Sequence, residues 1–491
     1  MFYNVLELKD LVDNDENKLD RKLSFDTSKI DFKEEQSKTR KVRKAIKVVC
    51  ITLVTCVALV VVVPIVGLLV LFTDVNEHGK IIDKNYSINE VKMIESSSFK
   101  KLNEVVYPRI AADKALKLDE NYIEAVKEFS YNIYNNLEYD QLNMSFSPFG
   151  LYSNLSIMAV GSEDEIVTQE FDDILGLDKE IRKINYTKAY QNDYFANDFG
   201  TLQLYNGLFV DKKYEINNNI LDELTNLYVE SYSLDLSNDK DVNKMLSWVD
   251  QKVDDKNFLE KKDLEIDEYT ALLLMSTLYF DNKWATMFSN DDTYSSTFNT
   301  INNDKIKADY MKHSYFGKVY RYEKYDSFYD YYKNGCKVQY ITPRSDIQVD
   351  ENIYELLEGI NFLVENEENV NDEVIINLSV PKFDSSSMID FSSTLKRVGL
   401  QTPFDKTYKS FNSMFTNLNE EASIYLKYVK QKNVISFNED GTTIKSVSFG
   451  GFGANSAGPM TSLTVKLDRP FVYVIYDPSG LPIYIGNVDT I

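Results

Sequence analysis

The stretch FNEDGT (437–442) leads, near the C-terminal end of the chain, into a glycine-rich segment at 449–460. Glycine admits backbone conformations that other residues avoid, so this segment is expected to be an exposed, mobile loop. Beyond the loop, residues 471–488 contain two β-rich runs separated by DPSG (477–480), which is typical of a hairpin. The sequence therefore predicts a long loop followed by paired strands.

Eight short motifs, this stretch included, occur along the chain in one order. They are NMSFSP (143–148), NGLFV (206–210), SWV (247–249), LYFDNKW (278–284), VPKF (380–383), the segment 395–400, FNEDGT (437–442) and DRPF (468–471). Each resembles a motif of the serpins, and all eight follow the order of that family over about 370 residues. By this resemblance the chain is identified as a serpin from residue 119 to its C-terminus.

Hydrophobic periodicity also favours a mixed architecture. Between Tyr122 and Leu137 apolar residues recur at intervals of three and four, which indicates one face of a helix. Strand-like apolar runs follow at 202–210, 272–280 and 374–383, so the pattern predicts an α+β fold rather than alternating βαβ units. The resemblance implies more: the serpin fold, with a large mixed β-sheet, an exposed reactive loop, smaller sheets and about eight or nine helices.

The resemblance implies a mechanical function without catalysis. A serpin holds its large sheet in a metastable form and offers its loop as bait to a protease. When the protease has cut the loop and is still acylated, the loop inserts as a new central strand and carries the protease with it. About twelve inserted residues at ~3.3 Å each amount to ~40 Å of travel, which distorts the active site of the protease.

The hinge of this loop would consist of Glu439, Asp440, Gly441, Thr442, Thr443 and Ile444. In an inserted strand alternate side chains face the core, which here puts Lys445 outside and Thr442, Ile444, Ser446 and Ser448 inside. This pattern permits insertion, although Ile444, Lys445 and Val447 are larger than the residues of an inhibitory hinge. Two functions follow: a protease inhibitor that inserts its loop (about 441–462), or a non-inhibitory serpin-like binding or structural module whose loop is only a substrate.

The bond that a protease would cut has two candidate positions. Counting from the hinge glycine places it between Asn455 and Ser456, whereas counting back from the DRPF motif places it between Pro459 and Met460. No Arg or Lys occurs in residues 446–465, so a trypsin-like target is not expected. The expected partner is an extracellular serine or cysteine protease, of elastase-like or chymotrypsin-like specificity in the serine class.

Under the large sheet, the resemblance implies a polar cluster called the shutter, and at the end of the sheet a region called the breach. Ser147 in the shutter and Trp284 in the breach match the family. Ser276 stands where many serpins have Asn, Gln431 replaces the usual His, and Gly150 replaces a second Ser. The hydrogen bonds under the sheet are therefore expected to be rebuilt.

Residue usage argues against several other functions. The net charge of −23 argues against a nucleic-acid partner, because phosphate contacts need clustered Lys and Arg. Cys336 is the one cysteine outside the apolar N-terminal segment, so the rest of the chain can form neither an internal disulfide nor a cysteine-based zinc site. The domain has one histidine, His313, and no nucleophile elbow, Walker loop or H-E-x-x-H motif, so no catalysis, metal or cofactor is expected.

The N-terminal part of the chain predicts a membrane anchor. Residues 48–72 read VVCITLVTCVALVVVVPIVGLLVLF, which carries no charge and is long enough to cross a hydrocarbon core of ~30 Å. Six Lys and Arg residues lie between Lys38 and Lys47, so the positive-inside rule places residues 1–47 in the cytoplasm. The long polar stretch before the apolar run argues against a cleaved signal peptide.

These patterns together predict four segments. Residues 1–47 would be a disordered cytoplasmic tail, 48–72 a transmembrane helix, 73–118 an extracellular stalk and 119–491 the serpin domain. The protein would be a monomer that crosses the cell membrane once, with its domain outside the cell. Its richness in Asn, Lys, Tyr and Ile hints at an AT-rich bacterial genome.

Overall fold

The computed structural model describes residues 97–108, 115–138, 142–322, 324–344, 374–442 and 462–491. Seven α-helices lie in these residues: α1 (Glu120–Asn135), α2 (Pro148–Val160), α3 (Glu165–Leu175), α4 (Lys179–Asp193), α5 (Asn218–Asn226), α6 (Asp239–Val253) and α7 (Ser392–Arg397). Short 3-10 turns occur at Lys261–Leu264, Asn290–Asp292, Thr402–Phe404 and Asn412–Met414. The described part thus holds seven α-helices, where the resemblance predicts about eight or nine for the domain.

Eighteen β-strands lie in the same described residues. In chain order they are β1 (Lys100–Lys101), β2 (Ser145–Phe146), β3 (Phe195–Asn197), β4 (Gly200–Asp211), β5 (Val229–Leu234), β6 (Leu272–Lys283), β7 (Tyr294–Asn299), β8 (Lys305–Gly317), β9 (Val319–Arg321), β10 (Tyr325–Tyr331), β11 (Lys337–Pro343), β12 (Val374–Pro381), β13 (Phe383–Asp390), β14 (Lys430–Phe437), β15 (Gly441–Thr442), β16 (Ser462–Lys466), β17 (Phe471–Tyr476) and β18 (Pro482–Val488). The predicted C-terminal hairpin is β17 and β18, which pair antiparallel.

The strands of the described residues form three sheets. The main sheet has eight strands in the order β1-β5-β4-β6-β15-β14-β13, with β3 paired to β4. The second sheet has the order β2-β18-β17-β11-β10-β9, and the third has the order β16-β12-β8-β7. The main sheet is mixed, because β4 runs parallel to β5 and antiparallel to β6. This confirms the predicted α+β architecture with one large mixed sheet and smaller sheets.

The first helix shows how a sequence pattern becomes a buried face. α1 begins after Asp119, whose carboxylate caps the helix by accepting a hydrogen bond from the amide of Asn121. The predicted apolar stripe is confirmed at Val126, Phe129 and Ile133, which are all almost fully buried. Through this stripe α1 packs on α2 and α3.

α2 is buried on nearly every side. It begins at Pro148, and the preceding Ser147 caps it by accepting a hydrogen bond from the amide of Gly150 at 3.0 Å. Eleven of its thirteen residues are buried, which is the composition expected of a helix inside the core rather than on its surface. α2 contacts β6 of the main sheet and β18 of the second sheet, so it fills the space between these sheets.

The folded part begins earlier in the chain than the sequence predicts. Residues 97–108, expected in the stalk at 73–118, lie on the main sheet, where β1 pairs antiparallel with β5. Leu118 is also buried in the main hydrophobic core. The described residues from Ser97 onward belong to one compact unit, which contains the three sheets.

Membrane anchoring stays a prediction. The expected transmembrane helix (48–72) and cytoplasmic tail (1–47) lie outside the described residues. Within the part of the chain that the structure describes, no helix is both long enough and apolar enough to cross a bilayer.

Two carboxyl groups are buried together at the end of α4. Asp193 ends α4 and Asp477 lies in the turn between β17 and β18, and they are 2% and 1% exposed. Burial and the neighbouring Asp477 raise the pKa of Asp193 well above its ordinary value, and burial raises the pKa of Asp477 to about 6. The buried thiol of Cys336 is close to both carboxyl groups. Two such carboxylates cannot both ionise without cost, so the folded state retains a proton here.

Asp193→Asn should therefore reduce the pH dependence of stability. A raised pKa means that the folded state binds more protons than the unfolded state, so the free energy of unfolding falls as the pH rises from about 4 through 6 and beyond. Because the variant lacks one of the two acids, we expect it to be more stable than the parent by roughly 1–2 kcal/mol at pH 8, and similar to it at pH 4. Urea unfolding between pH 4 and 8, followed by tryptophan fluorescence, measures this difference.

The control for this experiment is Glu163→Gln, which removes a carboxylate from an exposed position before α3. This variant should show the pH profile of the parent. If the free energy of unfolding of Asp193→Asn changed with pH in the same way as that of the parent over the whole range, the two carboxyl groups would not share a proton.

Candidate functional site

The chain reverses direction between β14 and β15, at the end of the main sheet that we call its upper end. The side-chain oxygen of Asn438 accepts hydrogen bonds from the amides of Asp440 and Gly441 at 3.0 and 3.3 Å. The amide of Asn438 donates to the carbonyl of Gly441 at 3.1 Å. Asn favours such a turn because its side chain can bond to the backbone two residues ahead. The turn returns the chain into the sheet, where β15 pairs with both β14 and β6.

Gly441 allows β15 to approach β6 closely. A Cβ at this position would lie 2.1 Å from the carbonyl oxygen of Asn282 on β6. Backbone atoms cannot rotate away from such a clash, so only glycine fits the observed pairing of Gly441 with Lys283. The predicted hinge glycine thus determines where the chain enters the sheet.

Thr442 is fully buried and is the last described residue before the loop. Its hydroxyl shares a hydrogen bond of 2.6 Å with the phenol of Tyr332. The ring of Tyr332 stacks on Trp284 with a centroid distance of 4.6 Å, and the indole of Trp284 donates to the carbonyl of Asn438 at 2.9 Å. Trp284 therefore stabilises the turn directly and the hinge through Tyr332.

Glu439 forms an ion pair beside the same turn. Its carboxylate lies 2.8 Å from the ammonium of Lys382 and accepts a hydrogen bond from the hydroxyl of Thr293 at 2.8 Å. Burial raises the pKa of Glu439, but these two partners lower it by more, so its pKa lies below the ordinary value. The charged form is favoured, and the turn is held to the segments that precede β13 and β7.

Below Thr442 the strands β6 and β14 separate. No backbone pairing joins them along their described lengths, although β6 pairs with β4 and β14 pairs with β13. The space between them is a cavity of about 350 Å³, lined by both strands and by α2. Facing strand edges of this kind can accept one further strand. We call this space the cleft.

Gln431, on β14, crosses the floor of the cleft. Its side-chain oxygen accepts a hydrogen bond from the amide of Ser147 at 2.7 Å, and its nitrogen donates to the carbonyl of Ser147 at 3.1 Å. A Cβ on Gly150 would lie 3.2 Å from that nitrogen and 2.8 Å from the hydroxyl oxygen of Ser147. The glycine at 150 therefore leaves room for the glutamine at 431, which ties β14 to the start of α2.

Ser276 lies on the opposite wall of the cleft, on β6. Its hydroxyl accepts a hydrogen bond from the side-chain amide of Asn154 at 3.2 Å and donates to the side chain of Asn206 at 2.6 Å. Asn206, on β4, donates in turn to the phenol of Tyr186 on α4 at 2.9 Å. The hydrogen bonds under the sheet thus form two separate groups, one on each wall.

Some of the predicted site residues lie in the part of the chain that the structure describes, and the others lie outside it. The described residues surround the hinge and the cleft: Glu439, Asp440, Gly441, Thr442, Trp284, Ser147, Ser276 and Gln431. The rest of the set lies outside the described residues and stays a prediction: Thr443, Ile444, and the candidate bonds Asn455–Ser456 and Pro459–Met460. The predicted loop (about 441–462) begins in β15 of the main sheet and ends in β16 of the third sheet.

His313, the histidine that a hydrolase would need, is packed inside the protein. Its side chain is 4% exposed, and its Nε2 lies 3.0 Å from the carboxylate of Asp330. Its Nδ1 lies 2.9 Å from the carbonyl oxygen of Thr286, and its ring stacks on Phe288. Phe288 in turn packs against Trp284, so His313 belongs to the aromatic packing beside the hinge.

Sequence reasoning missed three side chains that contact the hinge. Tyr332, Lys382 and Thr293 are all distant from the hinge in the chain, and their roles depend on long-range pairing of strands. Lys382 lies within the VPKF motif, which is the one available signal. No local sequence pattern indicates that Tyr332 or Thr293 contacts the hinge.

Comparison with known proteins agrees with this geometry. A family model described as Serpin (serine protease inhibitor) matches residues 124–490. The alpha-1-antitrypsin-like protein GS55-MS of Ictidomys tridecemlineatus is 24% identical over 382 residues, which cover 74% of this chain and 86% of that protein.

Two solved structures show the same fold at low sequence identity. The thermophilic serpin tengpin in its native state has a TM-score of 0.66 and 22% identity, and the match covers 79% of this chain and 98% of tengpin. Thyroxine-binding globulin in complex with thyroxine has a TM-score of 0.60 and 18% identity, and the match covers 75% of this chain and 98% of that chain. Since the family model extends from α1 to the end of β18, this chain belongs to the serpin family.

Proposed function

We propose that this chain is a protease inhibitor that inserts its cleaved reactive loop (about 441–462) into the cleft between β6 and β14. The observation that carries the proposal is the hinge: Gly441 and Thr442 already form a strand between β6 and β14, and the cleft continues beneath them. The facing edges of β6 and β14 carry amide and carbonyl groups without a backbone partner strand. One inserted strand would pair both edges at once.

The pairing of β15 determines where each loop residue would lie. Thr442 is paired with Asn282 on β6 and with Phe437 on β14. Because both ladders are antiparallel, each further loop residue would face the preceding residue of β6 and of β14. Since Thr442 faces the interior, every second residue after it would also face the interior.

The inward-facing serines of the inserted strand would meet polar partners. In this register Ser446 falls beside Asn433, whose side-chain nitrogen is buried without a hydrogen-bond partner. Ser448 falls between Ser276 and Gln431, the polar residues of the two walls. An unpaired buried polar group costs about 1–3 kcal/mol, so a hydroxyl supplied to Asn433 would favour insertion.

Lys445 would lie on the outer face of the inserted strand. It falls between Tyr279 and Val434, and Val434 is 48% exposed. Asp281 is on the same face of β6, and partial burial raises its pKa to about 7. The ammonium of Lys445 would approach this carboxyl at a diagonal cross-strand position, within reach of a long side chain. The outward charge is therefore compatible with insertion.

The target would be an extracellular serine or cysteine protease without trypsin-like specificity. Residues 446–465 contain no Arg or Lys, and the expected bait bond is Asn455–Ser456 or, alternatively, Pro459–Met460. The mass of the fragment released on cleavage would identify the bond.

The location that we propose follows from the N-terminal sequence. The uncharged apolar run at 48–72 and its basic N-terminal flank support one membrane-spanning helix with the domain outside the cell. Residues 73–96 would then link the membrane to the first described residue. A monomeric inhibitor held in this way would protect the surface of the cell that makes it.

A second candidate function is a serpin-like binding module whose loop is cut but does not insert. The large hinge residues Ile444, Lys445 and Val447 favour it, because they would slow insertion. Thyroxine-binding globulin, which shares the fold, was solved in complex with thyroxine. This alternative predicts clipped protein and no stable complex with a protease.

Moving the hinge lysine by one residue should separate the two functions. The exchange Lys445→Ser/Ser446→Lys keeps the composition but turns the charge toward the floor of the cleft, where an unpaired charge costs several kcal/mol. We expect the full-length parent in mild detergent to form a protease complex that survives boiling in denaturing detergent. The proteases should also cut the exchanged variant, but they should form at least about tenfold less of the stable complex with it. A denaturing gel over a panel of serine and cysteine proteases measures both.

Lys445→Ser alone is the matched control, since it removes the lysine without charging the inner face. It should form as much complex as the parent. Clipped protein alone across the whole panel, for the parent and for both variants, would support the binding module and exclude the inhibitor.

Cleavage of the loop should by itself stabilise the protein. An inserted strand adds backbone hydrogen bonds to β6 and to β14, each contributing about 1 kcal/mol. We expect the melting temperature of the loop-cleaved parent to rise by more than about 10 °C, as measured by differential scanning fluorimetry. The loop-cleaved Lys445→Ser/Ser446→Lys variant should show a much smaller rise. A cleaved parent that melts at the temperature of the intact parent has not inserted its loop.

A further inference from the structure

Residues 97–108, which we call the clasp, precede the part of the chain that the family model matches. The clasp covers the edge of the main sheet: β1 pairs with β5, and the amide of Leu102 donates to the carbonyl of Ser231 at 2.8 Å. Asn103 continues this contact, accepting from the amide of Ser231 at 2.8 Å and donating to the carbonyl of Val229 at 2.9 Å. The clasp is therefore an added strand on a sheet edge that would otherwise be free.

The first residues of the clasp bind the N-terminal turn of α6. Asp241, in that turn, is fully buried and accepts hydrogen bonds from the hydroxyls of Ser97 and Ser98 at 2.5 and 2.6 Å, and from the amide of Ser98 at 3.1 Å. Burial raises the pKa of Asp241, but these hydrogen bonds lower it by more, so the charged form is favoured. Lys244 donates to the hydroxyl of Ser97 at 2.8 Å. α6 is thus tied to the clasp by a buried carboxylate.

Two aromatic rings of the clasp also contact α6. The ring of Phe99 lies 5.0 Å from that of Tyr232 on β5, and the ammonium of Lys244 lies 5.8 Å from Phe99. The ammonium of Lys252, in the last turn of α6, lies 5.3 Å from the ring of Tyr107. The clasp therefore contacts α6 near both of its ends.

α6 lies over the cleft. Val249 and Val253 of α6, and Phe258 after it, line the cavity between β6 and β14. Met275 of β6 belongs to the apolar cluster under α6, and it is the residue that Phe449 would face if the register of β15 continued. A strand that enters this far would run beneath α6, so α6 has to shift to admit it.

We propose that the clasp, fixed to the edge of the main sheet, holds α6 in place over the cleft and thereby slows the entry of the loop. This inference rests on the loop insertion proposed above. Contacts at Asp241, Phe99 and Tyr107 have to loosen when α6 shifts, so each of them adds to the barrier. In the intact protein, a high barrier would make entry of the uncut loop too slow to occur. The clasp would in this way keep the cleft open.

The test follows the entry of a peptide rather than the trapping of a protease. A fluorescent synthetic peptide with the sequence of residues 443–455 is incubated with the full-length chain in mild detergent, and its incorporation is followed on a native gel. Ser97→Ala/Ser98→Ala removes the hydroxyl donors to Asp241 and should take up the peptide about tenfold faster than the parent. Hydrogen exchange at the amides of α6 should rise in this variant, while exchange in α1 stays unchanged.

Val106→Ser is the matched control, because Val106 lies in the clasp and is 85% exposed. It should behave as the parent. If the double variant does not fold, Ser98→Ala alone keeps the bond from Ser97 and should show the same effects to a smaller degree. Peptide uptake and α6 exchange equal to those of the control would overturn the proposal. If no peptide enters any of the proteins, the proposed insertion fails, and the exchange of α6 alone decides whether the clasp restrains this helix.

Discussion

The separation of β6 and β14 below Thr442 is the constraint on which the rest of the structure depends. Along the edges that point away from the cleft, both strands are regularly paired. There β6 pairs with β4 from Leu272 to Asn282, and β14 pairs with β13 along its whole length. Their facing edges lack this pairing in the described residues, and backbone groups without partners cost about 1–3 kcal/mol each where water does not reach them. A strand of the right register, such as the loop in the proposed insertion, would pair both edges and lower the free energy of the sheet. A fold with this property needs other contacts to keep its two halves in place.

Those contacts fasten each wall of the cleft separately. Gln431 binds the backbone of Ser147 and so ties β14 to the start of α2. Ser276 ties β6 to Asn154 of α2 and, through Asn206, to β4 and α4. No hydrogen bond between Gln431 and Ser276 occurs in the described structure. The walls meet at the upper end of the sheet, where Thr442 pairs with both strands. In the proposed insertion, a strand could therefore enter from the hinge downward without first breaking a polar contact between the walls.

Local sequence patterns predict the parts of this molecule that depend on neighbours in the chain. The stripe of α1 follows from its spacing, and the hinge glycine from its motif, because each has a physical reason that lies within a few residues. The clasp could not be predicted: residues 97–108 show no periodicity, and their partners, Asp241 among them, lie far along the chain. The same holds for the buried pair of Asp193 and Asp477, which lie far apart in the chain and come together only where the end of α4 meets the turn between β17 and β18. Long-range pairing leaves no trace in a single sequence.

The bulky hinge, which by itself argues against insertion, has a different meaning once the two faces of the cleft are compared. The inner side of the cleft is formed by α2, which is buried on nearly every side and cannot give way, and the loop would present Ser446 and Ser448 to it. The outer side is formed in part by α6, a helix with one exposed face, and there the loop would present the larger Val447 and Phe449. Large residues on that side can be accommodated if α6 shifts, whereas on the inner side the one large residue is Ile444, which would lie close to the hinge beside Phe280 and Ile435. The size pattern of the loop therefore makes insertion depend on the freedom of α6, rather than excluding insertion.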